Sequence, residues 1–199
     1  MDAPVLLLMD YQEAVCRPDG IFGANGMGAE VVRRGVLQHA AAVLASFRSR
    51  QHPVVHARLA IDAAGHRITS SSPAFAMIRD HGLMRDGDPA TAICAEVAAL
   101  PGEPVIAKCG FSPFAGTSLE GLLHGWHPTE LVMGGVATNH VVESAVRHAS
   151  DVGFPVVVLE DLCASDSAEA HRYTTVEILP HYAVVTTSAD YVRDRGWLS

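Results

Sequence analysis

Gly134-Gly135-Val136-Ala137-Thr138-Asn139-His140-Val141-Val142-Glu143-Ser144 follows an apolar run over 130–133 and leads into a helix-patterned segment that continues through Ala149. An apolar strand, a glycine pair, a turn of small residues and then a helix predict a strand–turn–helix elbow. Such elbows stand above the carboxyl edge of an α/β sheet, where they present reactive groups to a ligand.

The rest of the chain supports that setting. A continuous apolar run over 5–10 reads as a strand buried on both faces. Apolar positions Val32, Val36, Ala40, Val43, Leu44 and Phe47 recur at helical spacing and predict one long amphipathic helix over 29–50. Further strands are expected over 53–57, 104–108, 130–133, 155–160 and 183–187, with helices over 117–124, 139–152, 168–179 and 189–194. Alternating β and α units of this length demand a mostly parallel sheet with helices on both faces. Residues 60–90 are the least regular part, broken by Ser70-Ser71-Ser72-Pro73, with a short helix over 73–81. They are expected to form a lid or an oligomer contact.

A chain of 199 residues, 49% hydrophobic and 18% charged, has enough apolar side chains for a sizeable core, and no linker or repeat divides it. The expectation is one domain over 1–199. A formal net charge of −8, with no basic stripe, argues against nucleic acid as a partner. The first apolar run lacks a basic flank and a cleavage site, so it reads as a core strand and not a leader, and no stretch is long enough to cross a membrane. Cys16, Cys94, Cys109 and Cys163 are scattered without metal spacing, which fits a reducing, cytoplasmic setting.

Parallel sheets bind ligands where their strands end. The first strand ends at Asp10, the third at Lys108 and the fourth at the elbow, so a carboxylate and an ammonium are expected to converge on one rim. An ammonium beside a carboxylate favours its charged form and restrains its orientation.

The residues around these strand ends resemble those of a known family. Leu6-Leu7-Leu8-Met9-Asp10-Tyr11-Gln12 is similar to the opening motif of the isochorismatase-like hydrolases, the cysteine hydrolase superfamily. Lys108-Cys109-Gly110-Phe111-Ser112-Pro113-Phe114-Ala115-Gly116-Thr117 resembles their K-x-x-x-S-A-F-x-G-T segment, and Glu160-Asp161, Cys163-Ala164 and His171 fit the region after their elbow. The resemblance implies a Rossmann-like three-layer sandwich with a six-stranded, mostly parallel sheet. It also implies an Asp–Lys–Cys triad in which the cysteine attacks a carbonyl. Asp10 and Lys108 match the first two positions, whereas the pattern G-[VI]-A-T-[ND]-x-C-V places Val141 where the cysteine belongs. Valine has no lone pair and no thiolate, so acyl-enzyme chemistry at this position is excluded. The resemblance further implies an oxyanion hole from the backbone at Ala137 and Val141, around a cis peptide at Val136–Ala137.

Isochorismatases themselves also lack the cysteine. The resemblance to them implies that Asp10 protonates a vinyl ether and that water then adds, Lys108 assisting, on a small carboxylated substrate. They carry glycine where this chain has Val141. Gln12, Arg58, Phe114 and His140 are the candidate substrate contacts, Arg58 as the carboxylate binder. Two alternatives stay open: a cysteine-type amidase with a displaced thiol at Cys109, and an inactive binding or assembly protein of the same fold. Asp62 and His66 are the nearest metal candidates, without a third ligand nearby, so no metal is expected. No G-x-G-x-x-G or P-loop points to an organic cofactor. The expected partners are a small-molecule substrate and further copies of the chain, as a dimer or tetramer.

Overall fold

The computed structural model describes residues 3–62 and 70–197. Six strands form one parallel sheet: β1 (Val5–Met9), β2 (Val54–Leu59), β3 (Val105–Lys108), β4 (Leu131–Val136), β5 (Val156–Ala164) and β6 (Val184–Thr186), in spatial order β3-β2-β1-β4-β5-β6. The chain therefore builds outward from β1 in one direction, returns to β4, and builds outward again. The switch point falls between β1 and β4, and there the carboxyl ends open a crevice.

Eight α-helices accompany these strands among the described residues: α1 (Glu13–Cys16), α2 (Met27–Arg33), α3 (Val36–Ser49), α4 (Pro73–Asp80), α5 (Leu119–Trp126), α6 (Glu143–Asp151), α7 (Ala168–Tyr173) and α8 (Ser188–Asp194). Every residue of β1 and β4 is buried. Alternate side chains of β1 enter two separate apolar layers. Leu6 and Leu8 pack with Val43, Leu44 and Phe47 of α3. Leu7 and Met9 pack with Leu119 and Leu123 of α5 and Ala145 and Val146 of α6. Period-two alternation in a sheet covered on both faces produces this division.

Four expected elements differ in detail. The helix expected over 168–179 is α-helical only to Tyr173 and goes on as a wide π-type turn over Thr174–Ile178. The single helix over 29–50 is two, because Gly35 adopts φ 62 between α2 and α3, which ends the first helix and redirects the chain. The break lets Arg34 turn inward, where it donates to the Cys163 carbonyl at 3.0 Å and pairs with Glu160 at 2.5 Å. The strand expected over 155–160 continues to Ala164, with an irregularity opposite Met133 and Gly135. Its polar pair is satisfied from outside the sheet: Asp161 accepts the Ser188 backbone N–H at 2.8 Å, while Glu160 faces Arg34 and His171. The helix expected over 139–152 opens with a wide π-type turn over Thr138–Val142 before α6 begins.

Candidate active site

Asp10 leaves β1 in a left-handed conformation (φ 57), a region that aspartate tolerates better than bulkier residues, while its backbone N–H still donates to Ala57 of β2 at 2.9 Å. Lys108 ends β3, two strand spacings away, about 10 Å. Its long side chain crosses that gap, and Nζ lies 2.8 Å from Asp10 Oδ2 and donates to the Gly110 carbonyl at 3.0 Å. Both residues are buried, Asp10 to 7% exposure and Lys108 to 2%. The second carboxyl oxygen, Oδ1, is buried without a hydrogen-bond partner among the described residues. Burial pushes the Asp10 carboxyl above the usual carboxylate range, and the neighbouring Lys108 ammonium opposes that rise.

Both side chains line a cavity of about 290 Å³, small-molecule size. The elbow supplies Val136, Ala137, His140 and Val141 to its wall, and the Val136–Ala137 peptide is cis. The Ala137 carbonyl accepts from both His140 and Val142, which shapes the wide turn. Opposite stands α4, started by Ser72, whose hydroxyl accepts the Phe75 N–H at 3.4 Å. From this helix Phe75 and Ile78 point inward at helical spacing, and Phe75 meets Phe111 edge to face at 5.1 Å. Within the stretch expected to form a lid or contact, Ala74, Phe75, Met77 and Ile78 thus provide a wall of the cavity; His66, one of the two metal candidates, lies outside the described residues. Among the described residues no group of three or more His, Cys, Asp or Glu is arranged to hold a metal ion.

Asp10, Lys108, Ala137, Val141 and His140 therefore come together, while three candidates do not. Gln12 is fully buried: its amide donates to the Leu59 and Thr91 carbonyls at 2.9 Å each and accepts the Leu59 N–H at 2.8 Å. It braces the loop after β1 against β2 and does not line the cavity. Arg58 pairs with Asp86 at 2.6 Å and does not line the cavity. Phe114 belongs to the layer beneath, stacked on His148 at 4.6 Å, and Phe111 takes the wall position instead. Phe111 lies three residues beyond Lys108 and Phe114 six, so proximity to the strand end was the signal that favoured it. Val15, Phe22, Met27 and Asp166 also line the cavity and were not foreseen. Phe22 and Asp166 come from irregular segments, for which periodicity carries no information, while Val15 sits in the single-turn α1 and Met27 opens α2, where too few residues precede them to set a period.

No sulfur from a cysteine reaches this cavity. All four cysteines are buried, and Cys109 Sγ donates to the Ala60 carbonyl at 3.3 Å. The displaced-thiol alternative therefore lacks a thiol facing the carboxylate–lysine pair.

The isochorismatase domain family model matches residues 4–190. The chain belongs to the isochorismatase family. Among its relatives, the Escherichia coli O157:H7 isochorismatase family protein YecD is 36% identical over 91 residues, 46% of this chain and 48% of YecD. The ureidoacrylate amidohydrolase RutB of Variovorax paradoxus is 30% identical over 102 residues, 51% of this chain and 40% of RutB. These matches span about half or less of either relative. A solved isochorismatase-family structure from Chromobacterium violaceum is 31% identical, covers 100% of this chain and 96% of its own, and superposes with a TM-score of 0.77. The family and its six-stranded parallel architecture agree with the resemblance carried by the strand-end motifs.

Proposed function

We propose that this family member is a hydrolase that works without a thiol, with Asp10 as its acid–base group and Lys108 as the residue that orients it. The supporting observation is the buried Asp10 carboxyl, with one oxygen on Lys108 and the other unpartnered, in a cavity that no cysteine lines. A carboxyl held above its usual range by burial can carry a proton to an acid-labile bond such as a vinyl ether. The proton passes from Asp10 to the terminal alkene carbon and leaves an oxocarbenium ion. Water adds to the cationic carbon and returns its proton to Asp10. The resulting hemiketal then breaks its C–O bond to give a carbonyl compound and an alcohol. Backbone N–H groups at Ala137 and Val141 are proposed to stabilise the departing oxygen when the hemiketal breaks its C–O bond.

The test is turnover on a panel of small vinyl ethers and amides. Asp10→Asn is expected to lower turnover by about 10²- to 10⁴-fold, the usual contribution of a positioned acid–base group, with the fold retained by circular dichroism. Full turnover by that variant would falsify the reading. The pH profile gives a second check. Because the protonated carboxyl is the donor, the vinyl-ether rate is expected to fall as pH rises through the Asp10 value, above the ordinary 3.8.

Two further parts of the reading concern setting. None of the four cysteines forms a disulfide, which supports a reducing, cytoplasmic location. Tyr173, Val176 and Val184 expose large apolar side chains, which supports self-association. Sedimentation at a mass above the 21.1 kDa monomer would bear that out.

A further inference from the structure

The elbow is held by a chain of side-chain hydrogen bonds to which the proposed reaction assigns no part. Thr138 directly follows the cis Val136–Ala137 peptide, is fully buried and does not line the cavity. Its Oγ1 lies 2.8 Å from Nδ1 of His171, a buried residue of α7. Nε2 of the same ring lies 3.1 Å from Glu160 Oε2, and Arg34 donates to that oxygen at 2.5 Å. Hydrogen bonding from His171, aided by Arg34, keeps the Glu160 carboxyl below its ordinary range against its partial burial. The backbone under the ring is fixed as well. Ser167 caps α7 by accepting the Ala170 N–H at 3.2 Å, and Thr175 donates to the His171 carbonyl at 2.9 Å.

A charged carboxylate only accepts, so the ring nitrogen facing Glu160 carries a proton. In the neutral ring this leaves Nδ1 as a lone pair, to which the Thr138 hydroxyl donates. We infer that His171 is a positioning residue for the elbow: Glu160 and Arg34 fix it as the Nε2–H tautomer, and its Nδ1 takes the Thr138 hydroxyl proton and so holds the turn that lines the cavity. Thr138 stands between Ala137, whose carbonyl accepts the His140 and Val142 N–H groups at 3.2 and 3.3 Å, and Asn139, which Ser165 clasps through backbone and side chain. Rotation at Thr138 would carry the Ala137 and Val141 N–H groups away from the departing oxygen. The chain ends on Arg34, which caps α2, and the first residue of that helix, Met27, lines the cavity. One network therefore reaches two walls of the site. Its effect on turnover rests on the proposed hydrolase reading, whereas the tautomer and the hold on the turn do not.

The first test is spectroscopic. Proton–nitrogen correlation spectra of the histidine rings, with His171 assigned by its loss in His171→Asn, are expected to show a protonated Nε2 and a bare Nδ1. A ring protonated at Nδ1 instead, or averaging between tautomers, overturns the inference. Thr138→Val removes the hydroxyl at nearly unchanged shape, and Thr138→Ser restores it. In the valine variant amide exchange at His140 and Val142 is expected to quicken about fivefold or more. On a substrate that is turned over, its kcat is expected to fall about tenfold or more with KM within about twofold, while the serine variant stays near wild type. Unchanged exchange or unchanged kcat in Thr138→Val overturns the positioning role. His171→Asn, whose side-chain oxygen takes the place of Nδ1, is expected to keep more turnover than His171→Gln, whose amide reaches Glu160 and not Thr138; the reverse order also overturns it. If the wild type turns over no substrate, the hydrolase reading fails, and the tautomer and the exchange rates still decide whether His171 holds the elbow.

Discussion

Asp10 illustrates how one residue can combine a strained backbone with an unsatisfied side chain. A non-glycine residue at φ 57 is held there by its surroundings, and the N–H to Ala57 and the Lys108 contact supply them. Its neighbour across the cavity, Val141, sets what chemistry that carboxyl can support. Val141→Cys would place a thiol in the same cavity as Asp10 and Lys108, a cavity that none of the four native cysteines lines. Under native conditions iodoacetamide is expected to leave the wild type unlabelled and to add one equivalent at position 141 of the variant, read by peptide mass. Absence of label there would mean that position 141 is closed to small electrophiles. Asp10 and Lys108 were legible because strand ends of a parallel sheet converge by rule. Phe114 and Gln12 were not, because beyond a strand's end side-chain direction follows the loop, and no period describes a loop; Arg58, inside β2, is taken up by Asp86, a partner 28 residues away.

At the scale of elements, the glycine pair in β4 is what allows the elbow to sit so close to β1. A Cβ at Gly135 would stand 2.7 Å from the Met9 carbonyl oxygen and 2.8 Å from the Met9 Cβ, and one at Gly134 would stand 2.7 Å from the Leu162 Cβ. The first obstacle is backbone and cannot step aside. Gly135→Ala is therefore expected to destabilise by about 1–3 kcal/mol or more, the range for an overpacked core, seen as a lower urea midpoint at unchanged slope. An unchanged midpoint would show that β1 and β4 can part without loss. The turn beyond is pinned separately: Thr138 shares a 2.8 Å hydrogen bond with His171, whose other ring nitrogen lies 3.1 Å from Glu160, itself paired with Arg34. The glycine pair was legible as an elbow signal. The breaks at Gly35 and in the opening turn of α6 were not, because apolar spacing runs through both: the first turns on the left-handed backbone of one glycine, the second on the wide turn that closes on the Ala137 carbonyl.

For the molecule as a whole, the balance of its ion pairs sets how it meets acid. Glu103 is central: it accepts from Arg48 at 2.7 Å, from the Leu100 N–H at 2.9 Å and lies 3.0 Å from the buried His56, so it joins α3, β2 and the loop before β3. Its own burial works against the charge, yet the Arg48, Leu100 and His56 contacts outweigh it and hold the carboxyl down at about 2. A carboxyl depressed in the folded state contributes stability above its unfolded value, near 4.5, and loses it as pH falls toward 2. Asp10 has the opposite sign: raised by burial, it holds its proton more tightly when folded and favours the fold on the acid side. Glu13, Glu96 and Glu160 share the sign of Glu103, each lowered chiefly by a hydrogen bond from a basic side chain, so the depressed set outnumbers the raised one. His52 and His56 are both lowered from 6.5 by burial, so the urea midpoint is expected to be level above pH about 6.5, to begin to decline below it as unfolding takes up their protons, and to fall further below pH about 4.5. Glu103→Gln is expected to cost about 1–2 kcal/mol at pH 7, after allowance for solvent screening, and that difference should shrink as both proteins are taken toward pH 2. A difference that stays constant across this range would mean that Glu103 acts through packing alone, and that its charge does not couple the three segments it touches.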